Sequence, residues 1–131
     1  MKYLLDTSVF LLADASPERL NRQARDLLSH EREGIYLSAA SSWEISIKHA
    51  LGKLELPGPA MKYVPQRLRE LGLQALDITH VHALATGELP WHHQDPFDRL
   101  LIIQARLEQM VLLTSDRVFE KYAVKTLWCG R

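Results

Sequence analysis

The stretch Asp95-Pro96-Phe97-Asp98-Arg99-Leu100-Leu101-Ile102-Ile103-Gln104-Ala105 places two carboxylates one helical turn apart at the mouth of an almost wholly apolar helix. Asp95 suits the N-cap and Pro96 the first helical position, where a missing N–H costs nothing. Asp98 then falls at the third position, near the positive end of the helix dipole. Four large apolar side chains in a row, Leu100 to Ile103, cover more than one stripe, so the helix is expected to be buried on most sides. The bland reading of the two aspartates is capping, with Asp98 reaching back as the acid of a capping box does. That reading gives way only if other acids arrive at the same place.

Working outward, Tyr3 to Leu5 is an apolar run stopping at Asp6-Thr7-Ser8, and residues 110–113 form a second apolar run stopping at Thr114-Ser115-Asp116. Both read as buried strands that deliver an acid and hydroxyls at their C-terminal ends. Further strands are expected at 35–37, 73–78 and 124–128. Helices are expected at 9–13, at 17–30 with Ser16 as cap and Gly34 beyond its end, and from Ser41 onward. Others follow the break at Leu56-Pro57-Gly58-Pro59, kinked or restarted at Pro65, then after Thr79, and briefly at 117–122. Trp43, Ile47, Ala50, Leu51 and Leu54 are spaced as the core-facing side of the third helix. Alternating strands and helices predict an α/β fold, a single-domain parallel β-sheet flanked by helices on both faces.

In such a sheet a helix that follows a strand begins where the strand stops, so strand ends and helix mouths share one rim. Asp6 and Asp116 leave strand ends, while Glu44 and Asp98 occupy first turns of helices. Four carboxylates can converge there, although Ser41-x-x-Glu44 also reads as a capping box and Glu44 pairs favourably with Lys48 at four residues. Clustered acids repel unless a cation joins them. An all-oxygen set suits Mg²⁺ or Mn²⁺, ions that activate water and polarise phosphodiesters. The adjacent His92 and His93 have no partner at a zinc-finger spacing and are expected to line the pocket edge or fix the loop entering the helix.

Composition bounds the rest. At 131 residues and 47% hydrophobic the chain suits one core and one domain, residues 1–131. Sixteen basic and sixteen acidic residues cancel, which excludes binding nucleic acid by bulk charge and leaves a local patch. Lys48, Arg99 and Arg117, each a helical turn or less from a candidate ligand, are the RNA-contact candidates. The lone Cys129 forms no internal disulfide and fits a reducing, cytoplasmic setting; no apolar run is long enough to span a membrane.

Leu4-Leu5-Asp6-Thr7-Ser8-Val9, Ser41-x-x-Glu44, the 95–105 stretch and Leu113-Thr114-Ser115-Asp116-x-x-Phe119 resemble, in order, the successive motifs of PIN-domain proteins, specifically the VapC-type toxins of bacterial toxin–antitoxin pairs. The resemblance implies that Asp6, Glu44, Asp98 and Asp116 bind metal and carry catalysis, with Thr7, Ser8 and Ser115 as supporting hydroxyls. It further implies an Mg²⁺- or Mn²⁺-dependent endoribonuclease, a homodimer, and a cognate antitoxin protein whose C-terminal segment lies over the site. The chain departs from the family pattern at Ile45-Ser46-Ile47-Lys48, where a small residue is usual. Two rivals are a receiver-like Mg²⁺-binding phosphoacceptor and a catalytically silent RNA- or protein-binding module. The receiver wants a lysine after its last strand, which is absent here, and the silent module wants an incomplete set of acids.

Overall fold

The computed structural model describes residues 1–30 and 34–131. Five strands, β1 (Tyr3–Leu5), β2 (Ile35–Ser38), β3 (Gln74–Leu76), β4 (Val111–Thr114) and β5 (Thr126–Trp128), form one sheet in the order β3-β2-β1-β4-β5. Every pairing is parallel, with Leu4 level with Tyr36 on one side and Leu112 on the other. Among the described residues six α-helices accompany them: α1 (Thr7–Ala15), α2 (Arg22–His30), α3 (Ala39–Ala50), α4 (Ala60–Leu71), α5 (His80–Ala85) and α6 (Pro96–Leu107).

The sheet is buried on both faces because its central strands are apolar on both. Leu5 and Leu113 face a core built with Val9, Phe10, Ala24, Leu28 and Tyr63, while Leu4 and Leu112 face one built with Leu100, Leu101, Ile102, Ile103 and Phe119. That second core is where α6 spends its four-residue apolar run, as expected of a helix with no solvent stripe at its start. Chain order reverses direction across the β1–β4 pair, so the crevice of this α/β sheet opens at the C-terminal ends of those two strands.

Several local expectations are corrected. The helix expected over 17–30 is split: Pro17–Arg19 is a 3-10 turn, Leu20 is extended and buried, and α2 starts at Arg22. Asn21 causes the break. Its Oδ1 accepts from Ala24 N at 2.8 Å and its Nδ2 donates to Trp128 O, so the cap is Asn21 rather than Ser16. Where the helix stops between His30 and Gly34 lies outside the described residues. Gly34 itself is required by close approach, since a Cβ there would meet Met1 O at 2.6 Å. Helix α1 runs longer than 9–13 and begins directly after Asp6.

Helix α3 starts at Ala39, not Ser41, because Ser38 Oγ accepts from Ala40 N at 2.9 Å and ends β2 as it begins the helix. Its buried side is Ala40, Ser41, Glu44 and Ile45. Of the stripe read as core-facing, Leu54 does pack against the core, but the rest is outward, with Trp43 52% and Leu51 64% exposed. Helix α4 does not restart at Pro65. The carbonyl that loses its partner belongs to Met61, which is 89% exposed and open to water. Strand β3 is shorter than expected and sits at the sheet edge, which explains its irregular alternation. Strands β4 and β5 are each trimmed or shifted at the start, and the helix expected at 117–122 is a 3-10 turn over Arg117–Lys121. Among the described residues no helix is long and apolar enough to cross a membrane.

Candidate active site

At the β1–β4 crevice lies a cleft of about 350 Å³ lined by Asp6, Ser8, Glu44, Lys48, Asp98 and Asp116, with Thr7, Lys53 and Asp95 also on its wall. All four acids read from the sequence therefore reach one cavity. Asp6 leaves β1 buried, and its Oδ2 accepts from Thr114 Oγ1 at 2.8 Å and from Ser8 Oγ at 3.1 Å. Burial, the largest influence, pushes its carboxyl above the ordinary range; those two hydroxyls pull the other way, and Glu44 and Asp116 push up again. Asp116 caps the 3-10 turn through Val118 N at 3.0 Å, and its own N–H donates to Thr114 Oγ1. Thr114 thus ties the two strand-end acids together.

Thr114 was not among the supporting hydroxyls read from the sequence. Ser115 was, and among the described residues its hydroxyl meets that of Ser8, at 3.5 Å between oxygens. The signal was the strand period, since Thr114 and Ser115 must point to opposite sides. Thr7 does not line up with an acid either: its hydroxyl donates to Ser41 Oγ at 2.8 Å, joining α1 to α3. Ser41 consequently has no capping role, and Glu44 lies well inside α3 rather than in its first turn.

Glu44 is 6% exposed. Its Oε2 accepts from Lys48 Nζ at 2.6 Å, which holds the lysine's pKa above its usual value, whereas Oε1 is buried with no hydrogen-bond partner. A buried carboxylate oxygen without a donor costs on the order of 1–3 kcal/mol or more. Asp98 stands at the mouth of α6 below the Asp95 cap, whose Oδ1 accepts from Phe97 N at 2.9 Å and Asp98 N at 3.1 Å. The Asp98 carboxylate does not reach back to the Asp95 N–H as a capping box would. Its Oδ2 meets His93 Nε2 at 2.6 Å. Burial chiefly, with Asp6, Asp95 and Glu44 adding repulsion against the His93 hydrogen bond, pushes Asp98 up to about 7.

The cationic candidates separate. Lys48 and Lys53 face the cleft, Lys53 having gone unread because it lies beyond the helix. Arg117 stacks over the Trp128 ring at 3.7 Å and pairs with Glu120 at 2.7 Å, on the surface beside Asp116. Arg99 is corrected: at 2% exposure it cannot meet RNA, and its guanidinium donates to main-chain carbonyls of the loop before α6.

The donor set fits a hard divalent cation. It is all carboxylate and hydroxyl oxygen, and the orphaned Glu44 Oε1 is the kind of atom a cation would satisfy. Among the described residues, a trio whose ligand-type atoms all lie within 4.8 Å of one another is a different one, His93, Asp95 and Asp98.

A model of the PIN domain matches residues 3–125, nearly the whole chain. The chain belongs to the PIN-domain family. This PIN domain is 42% identical over 76 residues to Ribonuclease VapC16 of Mycobacterium tuberculosis, a match covering 53% of the chain and 54% of the relative, so the chain spans about half the length of the curated relative it matches. In structure it resembles VapBC2 from Rickettsia felis bound to promoter DNA, at 17% identity and TM-score 0.75 over 99% of this chain and all of that one. DNA-bound VapBC from Salmonella typhimurium matches at 18% identity and TM-score 0.70 over 97% of each chain. FitAcB from Neisseria gonorrhoeae matches at 21% and 0.66 over 95% and 96%. At these identities the likeness is one of fold. The sheet order of this PIN domain also sets aside the receiver alternative, whose strands run 2-1-3-4-5 rather than 3-2-1-4-5.

Proposed function

We propose that the protein is a divalent-metal-dependent endoribonuclease and the toxin of a toxin–antitoxin pair. The observation that carries the reading is Glu44 Oε1, buried and unpartnered in a cleft that also holds Asp6, Asp98 and Asp116. The similarity to a curated ribonuclease of the VapC type supports the substrate class, and the toxin–antitoxin complexes among its structural relatives support the partner. Asp6, Glu44, Asp98 and Asp116 would hold Mg²⁺ or Mn²⁺, which when bound polarises the phosphodiester and activates the attacking water. Thr114 and Ser8 fix the Asp6 carboxylate, and Ser115 backs Ser8. Lys48, released from Glu44, and Lys53 stand where a backbone phosphate enters, with Arg117 further out; Thr7 keeps α1 and α3 in register. A second copy and an antitoxin are the partners, for which the exposed Trp43 on α3 and Leu51 just past its end supply apolar surface, and the setting is the cytoplasm.

Purified protein should cleave RNA with Mg²⁺ or Mn²⁺, stop with EDTA, and lose on the order of 10² to 10³ in rate in Glu44→Gln, by analogy with deleting one transition-state stabiliser. Cleavage that persists undiminished in metal-free buffer and in Glu44→Gln refutes the reading.

A further inference from the structure

We infer that His93 is a positioning residue for Asp98, held in place by a clamp that Arg99 and Tyr122 build from main-chain atoms. The inference deepens the proposed function and rests on its reading of Asp98 as a metal ligand. Asp98 receives one side-chain donor among the described residues, His93 Nε2 at 2.6 Å on Oδ2. Against an ionised carboxylate that nitrogen can only donate, so the imidazole fixes Oδ2 and turns the carboxylate, leaving Oδ1 without a protein donor on the cleft side. Carboxylates that bind metal depend on such outer hydrogen bonds for their orientation.

The backbone that carries the imidazole is fixed in its turn. His93 N–H donates to Tyr122 Oη at 2.8 Å, and its C=O accepts from Arg99 Nη1 at 3.1 Å. Arg99 Nη1 also reaches Pro90 O at 2.9 Å, while Nη2 reaches Leu89 O at 3.1 Å and Thr86 O. The four N–H bonds of the two terminal nitrogens therefore meet four carbonyls of one loop, and Tyr122 Oη donates to Pro90 O at 2.9 Å. The Trp91 ring closes one guanidinium face at 3.6 Å. Because Arg99 follows Asp98 on α6, the clamp measures the loop, and with it the imidazole, against the same helical turn that carries the ligand.

The test titrates Mn²⁺ alone into the full-length wild type, His93→Ala, His93→Gln and Tyr122→Phe by calorimetry, with apo melting temperatures recorded beside it. His93→Ala is expected to weaken Mn²⁺ binding by about 10- to 100-fold. His93→Gln, whose amide can donate to Oδ2, should recover most of that loss. Tyr122→Phe should weaken binding by a smaller factor and add nothing in the His93→Ala background, since both act through one imidazole. Mn²⁺ affinity in His93→Ala within about twofold of wild type, with only the apo melting temperature lowered, would overturn the inference. So would a His93→Gln protein as weak as His93→Ala. A wild type that binds no Mn²⁺ overturns the metal site itself, an outcome distinct from both.

Discussion

Replacing Asp98 with Asn should make the apo protein more stable at neutral and alkaline pH while disabling metal binding. In the unfolded chain the Asp98 carboxyl titrates near its ordinary 3.8; in the fold it is pushed up to about 7. Between those values the folded protein keeps a proton that the unfolded chain has released, so stability falls as pH rises through that window. At about 1.4 kcal/mol per pH unit the full cost of ionising Asp98 is up to about 4 kcal/mol, complete above about pH 7 and absent below about pH 4. Asn carries no charge and keeps an oxygen for His93 Nε2. Urea unfolding in EDTA should therefore show Asp98→Asn level with wild type near pH 4 and ahead of it near pH 8, by up to about 2 M in midpoint at an m-value of about 2 kcal/mol/M. Adding Mn²⁺ should narrow the gap, since wild type gains about 2.7 kcal/mol at one hundred times Kd, and close it at about one thousand times Kd, where the gain is about 4.1 kcal/mol. An Asp98→Asn protein no more stable than wild type near pH 8 refutes the argument that this carboxylate is ionised against burial and its neighbours.

Asp95→Asn keeps an oxygen for Phe97 N and Asp98 N, so stability should drop by well under the roughly 1 kcal/mol of a lost cap, whereas Asp95→Ala should lose about that amount in the same urea assay. Lys48→Met leaves buried Glu44 without its cation; apo stability should fall by about 1 kcal/mol or more and return as Mn²⁺ is added, which a thermal scan with and without metal reads directly. Arg99→Lys preserves charge but cannot span four carbonyls, so it should cost on the order of 3 kcal/mol while leaving the salt dependence of RNA binding unchanged; a flattened salt slope would restore Arg99 as an RNA contact.

The sequence carries those parts of the fold whose cause is local. Tyr3 to Leu5 and Met110 to Leu113 had to be buried strands because they are apolar on both faces, and α6 had to be a core helix because Leu100 to Ile103 leaves it no wet side. The convergence of Asp6, Asp98 and Asp116 followed from where parallel strands end, whereas Glu44 reaches the same cleft from the second turn of α3. What stayed hidden depends on partners distant in the chain. Ser38 beat Ser41 as the α3 cap because Ser41 is claimed by Thr7, which lies on α1. Trp43, Ile47 and Leu51 have the spacing of a buried stripe, but the buried side of α3 is set by Glu44 turning toward acids from three other segments. Arg99 looked like a free charge because a guanidinium whose donors are taken by carbonyls leaves no acidic partner in the sequence to betray it.

The Arg99 clamp also bears on how this chain tolerates change. A carbonyl is the same whatever side chain hangs beside it, so the loop from Thr86 to His93 is held by a feature every residue type supplies. Substitutions at Gly87, Glu88 or His92 leave the four acceptors in place, and the loop can drift in composition without loosening. The burden of precision falls on two residues outside the loop, Arg99 and Tyr122, and on the loop side chain that meets Asp98, His93. A segment whose shape is fixed from outside is free to acquire a new surface, which makes this rim of the cleft the natural place for descendants of this chain to diverge.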